Sequence, residues 1–189
     1  MLDRQPFLEG ERLVLRPLRP SDYDDLFAVA SDPLVWEQHP AHDRWKPEIF
    51  RPFFDDALAN EGALVVIDKS SGAIIGSSRY QGLEESGGGS VEIGWTFLAR
   101  AFWGGVFNRE MKSLMIAHAL GSIAECRFAV GEENWRSRRA MEKIGARLSD
   151  RVDERAMADG IVRHLYYVIG LKEFAEGPLS APPKGSASV

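Results

Sequence analysis

The stretch VEIGWTFLARAFWGGVFNREM, residues 91–111, decides the fold. It reads as a strand, a short glycine-bearing loop and the start of a helix. The first N–H groups of a helix have no partners inside it, and the aligned peptide dipoles add there. Such a start is therefore a site for anions. Gly104 and Gly105 let the backbone approach a phosphate with no Cβ in the way. A strand feeding such a loop points to a phosphate-bearing cofactor lying against a sheet, although glycine pairs also serve ordinary turns.

Upstream, ERLVLRPL at 11–18 alternates as a strand, and Pro20-Ser21-Asp22-Tyr23-Asp24 opens a helix. Ser21 is the expected N-cap, with Asp24 three positions on in a spacing like a capping box. Asp32-Pro33 ends this helix. A second helix falls within 47–60, its start obscured by Pro52, which removes a hydrogen bond from any helix that contains it. ALVVID at 63–68 and AIIGSSRY at 73–80 flank Ser70-Ser71-Gly72 as a hairpin. Gly87-Gly88-Gly89 reads as a flexible connector into a strand at 90–98.

Downstream, residues 106–120 place Phe107, Met111, Leu114, Met115 and Leu120 near one helical face. ECRFAV at 125–130 reads as a strand, 134–144 as a helix stopped by Gly145, and 146–152 and 161–169 as strands joined by a turn at Asp159-Gly160. The order is β-α-α-β-β-β-α-β-α-β-β. The strand–helix–strand segment requires a parallel pair with a crossover helix, and the hairpins require antiparallel pairs. The expected fold is α+β: a mixed, mostly antiparallel sheet with a central parallel pair, flanked by helices. Residues 1–175 form one domain, and 176–189, rich in Pro, Ser and Gly, form a flexible tail.

The chain has 189 residues, enough for one core. Its net charge of −5 argues against a nucleic-acid surface, without excluding a local basic pocket. No apolar run approaches the length of a membrane span, and the N-terminus has no apolar signal core. Cys126 is the only cysteine, so no internal disulfide forms and nothing implies an oxidising compartment. A cytoplasmic protein without membrane or nucleic-acid partners is expected. No metal-ligand cluster is visible in the sequence.

Three segments together resemble the GNAT superfamily of acetyl-CoA-dependent N-acetyltransferases, in particular its RimJ/RimL-like branch. They are ERLVLRPLRPSDYDDL at 11–26, EIGWTF through WGGVFNREM at 92–111, and NWRSRRAMEKIGA at 134–146. The resemblance implies acetyl-CoA as co-substrate, no metal, and direct transfer to an amine, with a homodimer as a common assembly. The usual phosphate loop, Q/R-x-x-G-x-G/A, is altered. In register, Trp103 takes its first position, Val106 its first glycine and Asn108 its last small residue. A register starting from Arg100 fits no better. Ala146 stands where a phenylalanine commonly follows the late-helix glycine, a packing change.

The resemblance implies that Trp103, Gly104, Gly105, Val106, Phe107 and Asn108 hold the pyrophosphate. It also implies that Thr96, Phe97 and Leu98 offer backbone groups to the pantetheine arm, which Asn134 contacts as well. Arg109 and Arg138 are further candidates for the phosphates, or solvated surface cations.

Acetyl transfer needs a deprotonated amine, since an alkylammonium is not a nucleophile at neutral pH. Glu92 is the candidate base; the alternative is a carboxylate paired with a basic neighbour. Ser137 is the candidate acid toward the sulfur; the alternative is a first-turn serine that satisfies backbone groups. Asn134 also serves as an ordinary N-cap. Trp36, His39 and Trp45, with His42 nearby, lie where this branch builds its acceptor pocket. A histidine of ordinary pKa there would assist proton transfer.

The expected acceptor is a primary amine, on a small molecule or at a protein N-terminus. A non-catalytic acyl-CoA-binding module is the alternative, kept open by Val106 and Asn108. A nucleotide-binding α/β domain fits less well, because the early β-α-β unit and acidic ribose-binding residue are missing.

Overall fold

Leu13 and Leu15 are fully buried while Val14 and Arg16 are only partly so, the alternation that makes Leu13–Pro17 a strand. The computed structural model describes residues 1–157 and 160–180. Its first half runs β1 (Leu8–Glu9), β2 (Leu13–Pro17), α1 (Tyr23–Ala30), α2 (Pro33–Trp36), α3 (Pro47–Ala59), β3 (Ala63–Asp68) and β4 (Ile74–Glu84). The second half runs β5 (Ser90–Leu98), α4 (Val106–Leu120), β6 (Glu125–Gly131), α5 (Trp135–Lys143), β7 (Arg147–Met157), β8 (Gly160–Gly170) and α6 (Leu171–Glu176). Among the described residues one sheet forms, in the order β1-β2-β3-β4-β5-β6-β8-β7. Among the described strands only β5 and β6 pair in parallel.

Helices cover both faces. On one, Leu64, Val66, Val91 and Ile93 meet Met111, Met115 and Ile116 of α4. On the other, Ala63, Val65 and Phe97 meet Leu26 and Ala30 of α1 and Phe50 and Phe54 of α3. This two-sided cover is why β3 is apolar at successive positions, where a one-sided strand would alternate.

The expected elements are all present. The structure adds β1, α2 and α6, each too short to show a period. Pro52 lies inside α3 at an exposed position, so its lost hydrogen bond falls on the solvent side of the helix. The Gly87–Gly89 connector is an ordered turn, with φ of 64°, 88° and 87°. The Gly88 and Gly89 carbonyls accept from the Ala124 amide at 3.0 and 3.1 Å, which ties the start of β5 to the start of β6. Packed chain also extends past residue 175: Leu179 is buried in the core. Asp159 of the expected turn, and residues 181–189 of the expected tail, lie outside the described residues.

The N-cap expected at Ser21 is not formed. The N-cap position of α1 falls to Asp22, whose side chain caps none of the helix amides. Its carboxylate instead accepts from the upstream Arg19 amide at 2.8 Å and takes both guanidinium nitrogens of Arg16 at 2.8 and 2.7 Å. Burial, the largest single influence, would raise the Asp22 pKa, but the Arg16 fork and the Arg19 amide and charge together outweigh it and hold the carboxyl below its ordinary value. The pair therefore adds stability above the unfolded-state value of about 3.9, and that contribution is lost as pH falls through the lower folded value. Asp22→Ala should reduce unfolding free energy by about 2 kcal/mol in urea titration. This is less than for a fully buried pair, because Arg16 is partly exposed. Unchanged stability would show that the fork adds nothing.

Candidate active site

β5 and β6 pair at Ser90↔Glu125, Val91↔Cys126 and Glu92↔Arg127, and then part. β5 stays on β4, whose Ser78 lies opposite both Trp95 and Thr96, between the pairs Arg79↔Gly94 and Ser77↔Phe97. Trp95 has φ of 50°, the positive value of a residue held in a bulge. Such a bulge bends the strand and increases its twist. β6 instead follows β8 as far as Gly131↔His164. The result is a V that opens toward the C-terminal ends of both strands.

A cavity of about 860 Å³ fills the V. Its walls are the outer halves of β5 and β6, the start of α4 as far as Lys112, α5 along its length, His164 of β8, and the segment from Val35 to Pro40. Gly104 and Gly105 form its rim at the start of α4. Gly105 occupies the N-cap and provides no side-chain cap, so the first-turn amides have no side-chain partner there. Gly104 has φ of 70°, and a Cβ built on it meets nothing within 4 Å.

The charge of the lining is one-sided. Arg109, Lys112, Arg136, Arg139 and Lys143 contribute to it, and no Asp or Glu does among the described residues. In a chain of net charge −5, this concentration of cations at an open helix start fits a polyanion with several phosphates. Trp103 braces the rim: its indole N–H donates to the Leu98 carbonyl at 2.8 Å, and the Arg136 guanidinium sits 4.3 Å over its ring.

A family model described as the acetyltransferase (GNAT) domain matches residues 12–147. The chain belongs to the GNAT acetyltransferase family. Solved structures agree on the fold. A GCN5-related N-acetyltransferase from Brucella melitensis is 21% identical with a TM-score of 0.78, covering 90% of this chain and 80% of the other. A probable GNAT-family acetyltransferase from Chromobacterium violaceum is 19% identical with a TM-score of 0.79, covering 92% and 90%. Mycobacterium smegmatis RimJ, in complex with CoA-disulfide, is 18% identical with a TM-score of 0.67, covering 89% and 86%. GNAT membership implies acetyl-CoA binding, and the open amides, forked strands and acid-free lining fit that co-substrate.

Against this GNAT frame, the cavity brings together most of the residues expected from sequence. Thr96, Phe97, Leu98, Trp103, Gly104, Gly105, Asn108, Asn134 and Ser137 line it, as do Trp36 and His39. Others lie elsewhere. Val106 and Phe107 are not in the lining, and the Phe107 ring packs edge-on against Phe102 at 4.8 Å. Trp45 is 38% exposed and stacks with Lys46, away from the cavity. Arg138 is outside too; it donates to the Glu132 carbonyl and the Tyr167 hydroxyl. Arg109 donates to the Pro178 carbonyl at the rim.

Asn134 is both a cap and a lining residue, its Oδ1 accepting from the Ser137 amide at 3.1 Å. His39 is no proton shuttle near neutral pH. Burial, helped by Arg44, pushes it down to about 3, and its Nδ1 accepts from the Ala41 amide at 2.9 Å. Its ring stands edge-on to Trp36 at 5.6 Å, a packing role.

Glu92 does not line the cavity. It lies beside Gly94, on the face of β5 opposite Val91 and Ile93, and forms an ion pair with Arg155 of β7 at 3.5 Å. Burial raises its pKa above the ordinary carboxylate value, against the pull of Arg155. Arg155 also donates to the Tyr166 hydroxyl at 2.8 Å, and Tyr166 donates to Asp153.

Lys112 and His164 are lining residues the sequence did not single out. His164 comes from the last strand, through the β6–β8 pairing, and no local spacing marks it. Lys112 carried a signal: it sits three residues before Met115 and four before Ile116, within the buried stripe of α4. No helix among the described residues is long and apolar enough to cross a membrane, and no described cluster of His, Cys, Asp or Glu is suited to a metal.

Proposed function

We propose that this GNAT domain is an N-acetyltransferase that binds acetyl-CoA in the V and transfers the acetyl group to a primary amine in a ternary complex. The observation that carries this reading is the carboxylate-free, cation-lined cavity that runs from the uncapped start of α4 into the fork of β5 and β6. The α4 amides, with Gly104 and Gly105, receive the pyrophosphate. The backbone of Thr96 and Phe97 faces the pantetheine arm as an added strand would. The Leu98 carbonyl already accepts from Trp103, which limits what it offers.

When bound, acetyl-CoA supplies an activated acyl thioester. Glu92 takes the proton that the acceptor amine must lose; burial raises its pKa above the ordinary carboxylate value, which strengthens it as a base. Ser137, on the cavity wall, donates a hydrogen bond toward the sulfur. The acceptor amine belongs to a small molecule or to a protein N-terminus, the latter in keeping with the RimJ/RimL-like resemblance. One observation favours a non-catalytic acyl-CoA-binding module instead: Glu92 is outside the cavity lining and paired with Arg155.

Calorimetry with acetyl-CoA, followed by thiol release in the presence of an amine panel that includes alanine-initiated peptides, separates the two. Micromolar binding with turnover supports the transferase. Binding without turnover across the panel would support the module, and absence of binding would remove both.

A further inference from the structure

The Lys112 side chain is 2% exposed, yet it borders the cavity. Its ammonium donates to the Thr96 hydroxyl at 2.8 Å, and Thr96 lies 2.8 Å from the Ser78 hydroxyl. The Phe128 ring of β6 is 5.4 Å away. No carboxylate pairs with it among the described residues, and the lining supplies none. The titratable group that acts on it is Cys126 of β6, which burial pushes up to about 12 and so keeps as a neutral thiol. The other cations of the lining, Arg109, Arg136, Arg139 and Lys143, can only disfavour a further positive charge. Lysine buried without an anion is rare, because transfer of a lone ammonium from water is costly. The Lys112 ammonium is placed between the two splayed strands, against Thr96 of β5 and Phe128 of β6, in the same cavity that Gly104 and Gly105 rim.

Resting on the acetyl-CoA reading above, we infer that Lys112 is the proton donor and counter-cation for the sulfur that leaves when the acetyl group is transferred. Lys112 gives one proton to sulfur as the carbon–sulfur bond breaks and its electron pair stays on sulfur, leaving a thiol and a neutral amine. The acceptor enters as an ammonium and its nitrogen loses two protons, one to Glu92 before attack and one after the new bond forms. Both pass to solvent, Lys112 takes one back from water after the thiol departs, and one proton is released net per amide formed. Ser137 cannot perform this step by itself. An alcohol is a far weaker acid than a thiol, so its hydroxyl can hydrogen-bond to sulfur but not surrender the proton. Burial lowers the Lys112 pKa to about 7, which makes its ammonium a stronger acid than an ordinary lysine and suits it to proton donation.

The test uses CoA and desulfo-CoA, which differ at the sulfur alone, and reads binding as well as turnover. The wild-type chain should bind CoA about 10-fold more tightly than desulfo-CoA, and Lys112→Met should abolish that preference while keeping desulfo-CoA affinity within about 3-fold. In protein with isotope-labelled lysine, the Lys112 side-chain NMR signal should shift on adding CoA and stay in place with desulfo-CoA, an observation that needs no variant to fold. An equal loss of affinity for both ligands in Lys112→Met, or a Lys112 signal indifferent to the sulfur, would overturn the inference alone. Failure of the wild-type chain to bind either ligand would overturn it together with the acetyl-CoA reading.

Discussion

Gly104→Glu should weaken acetyl-CoA binding about 100-fold, roughly 2.7 kcal/mol, while the protein remains folded. The site tolerates bulk, since a Cβ there meets nothing within 4 Å. Its φ of 70° adds strain of about 1 kcal/mol for any side chain, a modest fraction of a domain's stability. The larger effect is charge. A carboxylate at the cavity rim repels phosphates and competes for the same first-turn amides of α4. Gly104→Ala carries the strain without the charge and should lose less than about 3-fold. Calorimetry at two salt concentrations checks both variants, the Glu defect shrinking as salt rises. Wild-type affinity in Gly104→Glu would remove the loop from the phosphate site.

Glu92→Gln should lower turnover about 100-fold and leave acetyl-CoA affinity unchanged, because general-base catalysis is lost while the cavity lining is untouched. A base works in its deprotonated form, so the wild-type rate should rise with pH through the raised Glu92 value, and the variant should lose that limb. Arg155 pulls the Glu92 pKa downward, so Arg155→Met should move the same limb to higher pH and keep the plateau. The stability consequence has a definite sign. A carboxyl whose folded pKa is raised favours the folded state at low pH, and this contribution is lost as pH rises through that value. Glu92→Gln should therefore be no less stable than wild type at neutral pH in thermal melts. Full turnover by Glu92→Gln at neutral pH would remove Glu92 from the chemistry.

Local signals read well where one residue pattern sets one backbone state. The β3 and β4 runs around Ser70-Ser71-Gly72 and the glycine-bearing start of α4 were legible because each rests on neighbours along the chain. Ser21 is not the cap because α1 begins one residue later, with Asp22 at the N-cap position, and the Asp22 carboxylate is taken by the Arg16 fork six residues back. Val106 and Phe107 were drawn into the phosphate site by motif register, whereas Phe107 turns inward onto Phe102. Lys112 was passed over because a charged residue counts as polar in a periodicity, whatever covers it.

The order of the longer elements, GNAT membership and the glycine-bearing start of α4 were legible in sequence, since these depend on short-range backbone preferences and motif order. Tertiary structure alone decided the V between β5 and β6, the enclosure of Lys112, the lowered pKa of His39 and the distance of Glu92 from the cavity. Each of these follows from strand register or from desolvation by residues far away along the chain. No window of sequence contains that information, because the neighbours that set a side chain's dielectric surroundings are chosen only when the sheet assembles.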